Sequence, residues 1–346
     1  MKSMRSKALI VVALALVALA AVSGASATPK QQTAGISAAL ISDIGKFNDR
    51  SFNQSQLEGL NRAKAQLGAT VMPLQSNSVS DYIPNLRTAV LKKANLVIAA
   101  GFLLADATNT VAAKFPKTSF AITDYPVEAP PFTDAKKKHT SPNVMGLTYA
   151  ANEAGCLAGY LAGLMVKKQG GKQVIGAVGG LKIPPVDIWI AGYSFCAKLA
   201  NAKIQVLVGY SQDFVKQDLC KAQADNQITA GAQVIFQVAG GCGLGALNAA
   251  KEKGIWGIGV DKDQSDQGPH ILTSGVKKVD VGIFNVVKAV NDGTFKGGTD
   301  LNFDLKNSGV GLGKVSPKVP AAFMAKVNAL KAKIIAGTVK VPTALS

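Results

Sequence analysis

The sequence predicts an α/β protein built as two lobes. Short apolar runs alternate with segments of helical periodicity along nearly the whole chain, the pattern of parallel sheets with covered faces. At 346 residues the chain exceeds one typical domain. It is 48% apolar and only 17% charged, which excludes a disordered chain. Its 35 glycines follow no period, which excludes a fibre.

The N-terminus reads as a targeting segment. Lys2, Arg5 and Lys7 precede an uncharged apolar run, Ala8–Val22, and Ala25-Ser26-Ala27 offers a cleavage site. Residues 1–27 are therefore expected to be a signal peptide, with an uncleaved anchor as the rival. The run is short for a membrane span, and no later segment is long enough. The formal charge is +17, or +14 without the three positive residues of 1–27. The lysines are spread along the sequence rather than blocked together, so a solvated surface is expected, not a nucleic-acid site. Four cysteines in an exported chain suggest two disulfides with three possible pairings. Cys220 falls in the first turns of one helix and Cys242 just after the next strand, so that pair is expected to bond, with Cys156–Cys196 as the second. The cysteine spacing fits no zinc motif.

The first lobe opens with the apolar run Ile36–Ile41, ended by Asp43 and the turn residue Gly45. Asn48, Asp49 and Ser51 are loop and cap types, and Leu57, Leu60, Ala63 and Leu67 recur at helical spacing. This strand, polar loop and helix place Asp43 and Phe52 at a strand's carboxyl end, where open α/β sheets hold ligands. Phe47 reads as loop packing. A strand near Thr70–Leu74, a helix Asp81–Lys93, the strand Leu96–Ala100 and a helix Ala105–Lys114 follow. The strand Ser119–Thr123 delivers Asp124 to the same edge, although a structural turn aspartate reads equally well there. After a proline-containing loop and the strand Val144–Tyr149 comes a helix over Asn152–Val166. Gly155, Gly159 and Gly163 there leave one face open to close backbone approach.

The second lobe begins with Val174–Gly180, then I-P-P-V-D-I-W-I-A-G-Y with Trp189 at its centre. A strand Ile204–Val208, a helix from Lys216 to Ala230 and a strand from Val234 lead to Gly240-Gly241-Cys242-Gly243-Leu244-Gly245-Ala246. From Gly241 this fits the dinucleotide pattern G-x-G-x-x-A, with Asp261 twenty residues on, so an exported NAD-dependent enzyme is one reading. A helix Val281–Asn291 and a final helix Ala321–Ala336 close the chain.

Several stretches together carry a resemblance. D-I-G-K-F-N-D-R-S-F-N-Q-S at Asp43–Ser55, V-D-I-W-I-A-G-Y, A-G-G-C-G-L-G and G-V-D-K-D-Q resemble the motifs of the basic membrane protein family. Those are solute-binding components of ABC importers, among them purine nucleoside receptors, and the likeness covers residues 34–342. It implies a two-lobed, type I periplasmic-binding-protein-like fold. The first lobe would comprise 34–149 plus about 272–310, and the second 150–271 plus about 311–346. Hinge crossings are expected near Tyr149–Ala151 and Gly268–Ser274. Many family members are lipoproteins; with no cysteine in residues 1–155 this chain departs from that pattern.

The resemblance implies a nucleoside held between the lobes, its base between Phe52 and Trp189. Asp43, Asp124 and Asp261 would accept hydrogen bonds, Asn53, Gly240 and Gly241 would add polar contacts, and Lys277 would sit beside the carboxylates. Solvated loop residues are the rival reading for the aspartates, and a core aromatic for Trp189. The expected partners are a small-molecule nucleoside and ABC permease subunits, with no nucleic acid; the expected state is a monomer, exported to the periplasm or cell envelope. No hydrolase elbow, HExxH, phosphate loop or redox pair occurs, and the two histidines, His139 and His270, form no plausible triad. No catalytic residue, metal or cofactor is therefore expected. A surface adhesin is the remaining alternative reading.

Overall fold

The computed structural model describes residues 35–345. The expected signal segment lies outside those residues. The chain runs β1 (Ser37–Ser42), α1 (Phe52–Leu67), β2 (Thr70–Leu74), α2 (Tyr82–Leu91), β3 (Leu96–Ala100), α3 (Ala105–Ala112), β4 (Ser119–Thr123) and β5 (Val144–Tyr149). It continues through α4 (Ala151–Gln169), β6 (Val174–Gly179), α5 (Pro184–Ala200), β7 (Gln205–Tyr210), α6 (Gln217–Thr229), β8 (Ala232–Val238), α7 (Gly243–Glu252) and β9 (Trp256–Asp261). The last elements are β10 (Ile271–Lys277), α8 (Val279–Asn291), β11 (Asp300–Phe303), β12 (Val310–Leu312) and α9 (Ala321–Ile335).

Two sheets result, ordered β2-β1-β3-β4-β5-β11 and β7-β6-β8-β9-β10-β12. Every pairing is parallel except β10 with β12. The two orders are the same, strand for strand, so the lobes are two copies of one α/β plan. Central strands such as β3 and β6 are buried along their full length, which is why they read as unbroken apolar runs.

The chain crosses between the sheets at β5–α4, again between β10 and α8, and between β11 and β12. The first crossing lies at Ala150. The second falls later than Gly268–Ser274, because β10 pairs with β9 and β12 and so stays in the second sheet through Lys277. Hydrogen bonds stitch the crossings side by side: Ala150 N donates to Phe303 O at 2.8 Å and Lys278 N to Gly309 O at 2.9 Å.

The α4–α5 contact shows what the spaced glycines do. A Cβ on Gly155 or Gly159 would lie 2.3 and 2.0 Å from the carbonyl oxygens of Trp189 and Tyr193, so only glycine lets these backbones approach. The Cys156–Cys196 disulfide, with Cα atoms 4.9 Å apart, staples the same pair. Among the described residues no helix is long and apolar enough to cross a membrane.

Candidate functional site

The carboxyl edges of the two sheets face each other across a cleft. Asp43 follows β1, Asp124 follows β4 and Asp261 ends β9, which corresponds to β4 in the repeated plan. Asp124 and Asp261 even share a left-handed backbone, with φ of 62° and 63°. Aspartate tolerates that region better than most residues, and it turns each carboxylate off its strand into the cleft.

Between the lobes lies a cavity of about 70 Å³ walled by Asp43, Phe52, Asn53, Asp124, Trp189, Gly240, Asp261 and Lys277. All the sequence-derived site residues except Gly241 thus converge there. Gly240 takes a left-handed turn (φ 54°), which puts Gly241 against Asp49 and the Phe214 carbonyl instead of in the cavity. Phe47 does not line the cavity.

Lys277 is the centre of charge. It is 3% exposed, and its ammonium lies 2.6 Å from Asp124 Oδ2 and 3.5 Å from Asp261 Oδ1. Phe52, Tyr149 and Trp189 surround it, with ring centroids at 4.6, 5.6 and 6.0 Å. Burial works to lower its pKa, but the two carboxylates outweigh burial and hold the ammonium charged. Asp124 is raised by burial, with Lys277 opposing. Since Asp124 comes from the first sheet and Lys277 from the second, this pair spans the cleft floor.

Asp43 is pushed up to about 7 by burial, only partly offset by the Gly45 amide and by Asn53. Its Oδ1 accepts Gly45 N at 2.7 Å and Asn53 Nδ2 at 2.7 Å. Asp49, a residue sequence reasoning left as a cap, also lines the cavity. It accepts the amides of Ser51, Asn53 and Gln54 at 2.9, 2.8 and 3.0 Å, so it caps α1 from outside the helix. Burial nonetheless pushes its carboxyl up to about 6, against the pull of those bonds.

Trp189 is 1% exposed and sits edge-on to Phe236 at 6.2 Å, with its ring against Gly275. It is thus both a core aromatic and a wall of the cavity. Sequence reasoning missed Phe214, Phe102 and Ile183, which complete the apolar lining. Phe214 gave the same signal as Phe52, an aromatic in a polar loop after a strand, but in a stretch left unassigned.

The glycine pattern after β8 has a local explanation. A Cβ on Gly243 would lie 1.8 Å from Gln237 Oε1, and one on Gly245 would lie 1.8 Å from the Gln217 carbonyl. Cys242 is tied to Cys220 by a disulfide, Cα atoms 5.6 Å apart. These glycines seat α7 against its own lobe, so the dinucleotide reading loses its support.

The lobes also touch around the cavity. Ser51 Oγ donates to Asp261 Oδ2 at 2.9 Å, and Gln264 Nε2 to the Arg50 carbonyl at 3.2 Å. Arg50–Asp266 and Lys262–Glu58 ion pairs bridge the exposed rim.

Two α/β lobes on one plan, joined by adjacent crossings and meeting over a charged aromatic cavity, define a two-lobed small-molecule binder. Residues 36–344 match the family described as ABC transporter substrate-binding protein PnrA-like, and the chain belongs to that family. It is similar to the ABC transporter nucleoside-binding protein BmpA of Lactococcus lactis, 33% identical over 98% of this chain and 100% of that protein. It is also similar to a CD4+ T-cell-stimulating antigen of Listeria monocytogenes, 34% identical over 88% of this chain and 87% of that one. A solved ABC transporter solute-binding protein from Aeropyrum pernix superposes with a TM-score of 0.79 at 25% identity, covering 89% of this chain and 94% of that one. The family is one of transporter-linked binding proteins rather than of enzymes.

Proposed function

We propose that this protein is the extracytoplasmic receptor of an ABC importer and that it binds an uncharged nucleoside between its lobes. The observation that carries this reading is the composition of the cavity wall: Asp43, Asp49, Asp124 and Asp261 stand against the single ammonium of Lys277, within aromatic sides. Carboxylates accept hydrogen bonds from sugar hydroxyls and ring N–H groups, while aromatic faces hold a planar base. The same acidic excess repels a phosphate. Asn53 Oδ1, buried without a partner among the described residues, offers one more acceptor. In this reading the base lies between Phe52 and Trp189 with Phe214 adding an apolar side, and Asp43, Asp124 and Asp261 take the polar edge. The permease of the importer is the partner to which a closed, loaded receptor would deliver. The name of the Lactococcus relative supports the choice of ligand class.

Calorimetry with purine and pyrimidine nucleosides and their 5′-monophosphates tests this. The nucleoside is expected to bind at least about a hundredfold more tightly than its monophosphate, a gap of roughly 3 kcal/mol. Phe52→Ala and Trp189→Ala are each expected to weaken binding by about tenfold or more, from lost stacking and burial, while Phe47→Ala leaves it nearly unchanged. Binding by both cavity variants at wild-type strength would reject the stacked-base arrangement, and preference for the monophosphate would reject the charge argument.

A further inference from the structure

The lysines that look scattered in sequence gather in space. In a parallel α/β sheet every helix returns to the amino edge of the next strand, so all those turns lie along one edge. In the first lobe that edge carries Lys64, Lys92, Lys93, Lys114, Lys117 and Lys296, all exposed. Hydrogen bonds tie their turns together. Asn95 N donates to Ser37 O at 2.8 Å, and Ser119 N to Asn95 O at 3.1 Å. Asn143 Nδ2 reaches the carbonyls of Ala112, Phe115 and Thr118 at 3.2, 3.1 and 2.9 Å. Gly297 abuts the Pro142 carbonyl, and Thr70 N bonds to Ile36 O at 2.9 Å, which adds the remaining two turns.

No acidic residue occurs in the turns 64–70, 91–96 and 112–119 or at the entry to β5, 141–144, and the turn 292–299 holds only Asp292, which pairs with Lys288. Lysines near helix C-termini complement the macrodipole, and that accounts for one per helix end. It does not account for the absence of acids from four of these five neighbouring segments. Leu91, 70% exposed, sits on this edge directly before Lys92 and Lys93. An exposed leucine among lysines suits a lipid headgroup layer better than water.

We infer that this basic pole of the first lobe is a docking surface for an anionic lipid bilayer. It lies at the sheet edge opposite the ligand cleft, so docking leaves the cleft open. Each lysine close to an anionic membrane strengthens binding by roughly fivefold, and the attraction decays over a Debye length. The inference is independent of which solute the cleft takes.

The second lobe repeats the arrangement with Lys167, Lys168, Lys172, Lys198, Lys203, Lys251 and Lys253 beside Glu252, which supplies an internal control of similar charge. The experiment is co-sedimentation of the protein, with the N-terminus its host leaves on it, on phosphatidylcholine vesicles with and without phosphatidylserine. Wild type is expected to bind the anionic vesicles, less as salt rises from low to physiological levels. A K92E/K93E/K114E/K117E variant should lose at least about a hundredfold in vesicle affinity, while K167E/K168E/K172E/K203E should bind nearly as wild type does. Circular dichroism and thermal melting confirm that both variants are folded. Equal binding to neutral and anionic vesicles, equal loss in the two variants, or capture by a soluble polyanion but not by vesicles would each overturn the assignment.

Discussion

Asp43 is the residue whose protonation state the fold alters most legibly. Its carboxyl is buried in the cleft wall, and burial raises it from the usual value near 3.8 to about 7. A carboxyl held above its unfolded value binds a proton that the unfolded chain has already released. Between about pH 4 and pH 7 that proton favours the native state, so stability falls as pH rises through this window. The unliganded protein is therefore expected to melt at higher temperature near pH 5 than near pH 8. The difference should be on the order of a few kcal/mol, and Asp43→Asn should reduce it, leaving the share of Asp49 and Asp124, which burial raises in the same direction. Thermal melts of both proteins across that range check this; an unchanged slope in the variant would place the titrating group elsewhere. Lys277 behaves oppositely in kind: flanked by Asp124 and Asp261, it stays charged despite burial.

At the scale of elements, the binding edge of the second lobe is held by chemistry as well as packing. The Cys220–Cys242 bridge links the first turn of α6 to the N-cap of α7. Cys242 N also donates to the Phe214 carbonyl at 3.0 Å, so the bridge fixes the loops that carry Phe214 and Gly240. A separation of 22 residues corresponds to about 3 kcal/mol of loop-closure entropy. Cys220→Ala/Cys242→Ala is expected to lose about that much in urea unfolding and to bind ligand less tightly. The α4–α5 pair behaves differently, because its glycines set the approach and its disulfide only reinforces it.

At the scale of the molecule, the lobes are drawn together. A cavity of about 70 Å³ is small beside the ~300–1,000 Å³ of typical ligand pockets, so the proposed nucleoside would enter only if the lobes part. The adjacent crossings between sheets provide the hinge, and rigid-body opening is the expected motion. Small-angle scattering should show a larger radius of gyration without ligand than at saturation; identical curves would count against hinge motion. The Arg50–Asp266 and Lys262–Glu58 pairs are exposed, and such pairs contribute about 0–1 kcal/mol each. Glu58→Ala/Asp266→Ala should thus weaken ligand binding by no more than roughly tenfold, and less at high salt.

The sequence alone determined much of this architecture, for reasons local to the chain. Buried parallel strands must be continuous apolar runs, so β1, β3, β4 and β8 announce themselves, and the residue ending each run marks the binding edge. That is how Asp43 and Asp124 could be placed together before any contact was known, whereas Asp261 came from the resemblance of G-V-D-K-D-Q to a family motif. Gly155, Gly159 and Gly163 likewise disclosed a helix face made for close approach. Other features depend on which segments meet. The assignment of β10 to the second sheet is set by strand pairing, which periodicity does not encode. Gly241 leaves the cavity through a backbone turn at Gly240, and Phe214 and Asp49 join it because lobe closure brings their loops across the cleft. The basic pole is the plainest case: its lysines are far apart in sequence, and only the return of every helix to one sheet edge makes them a surface.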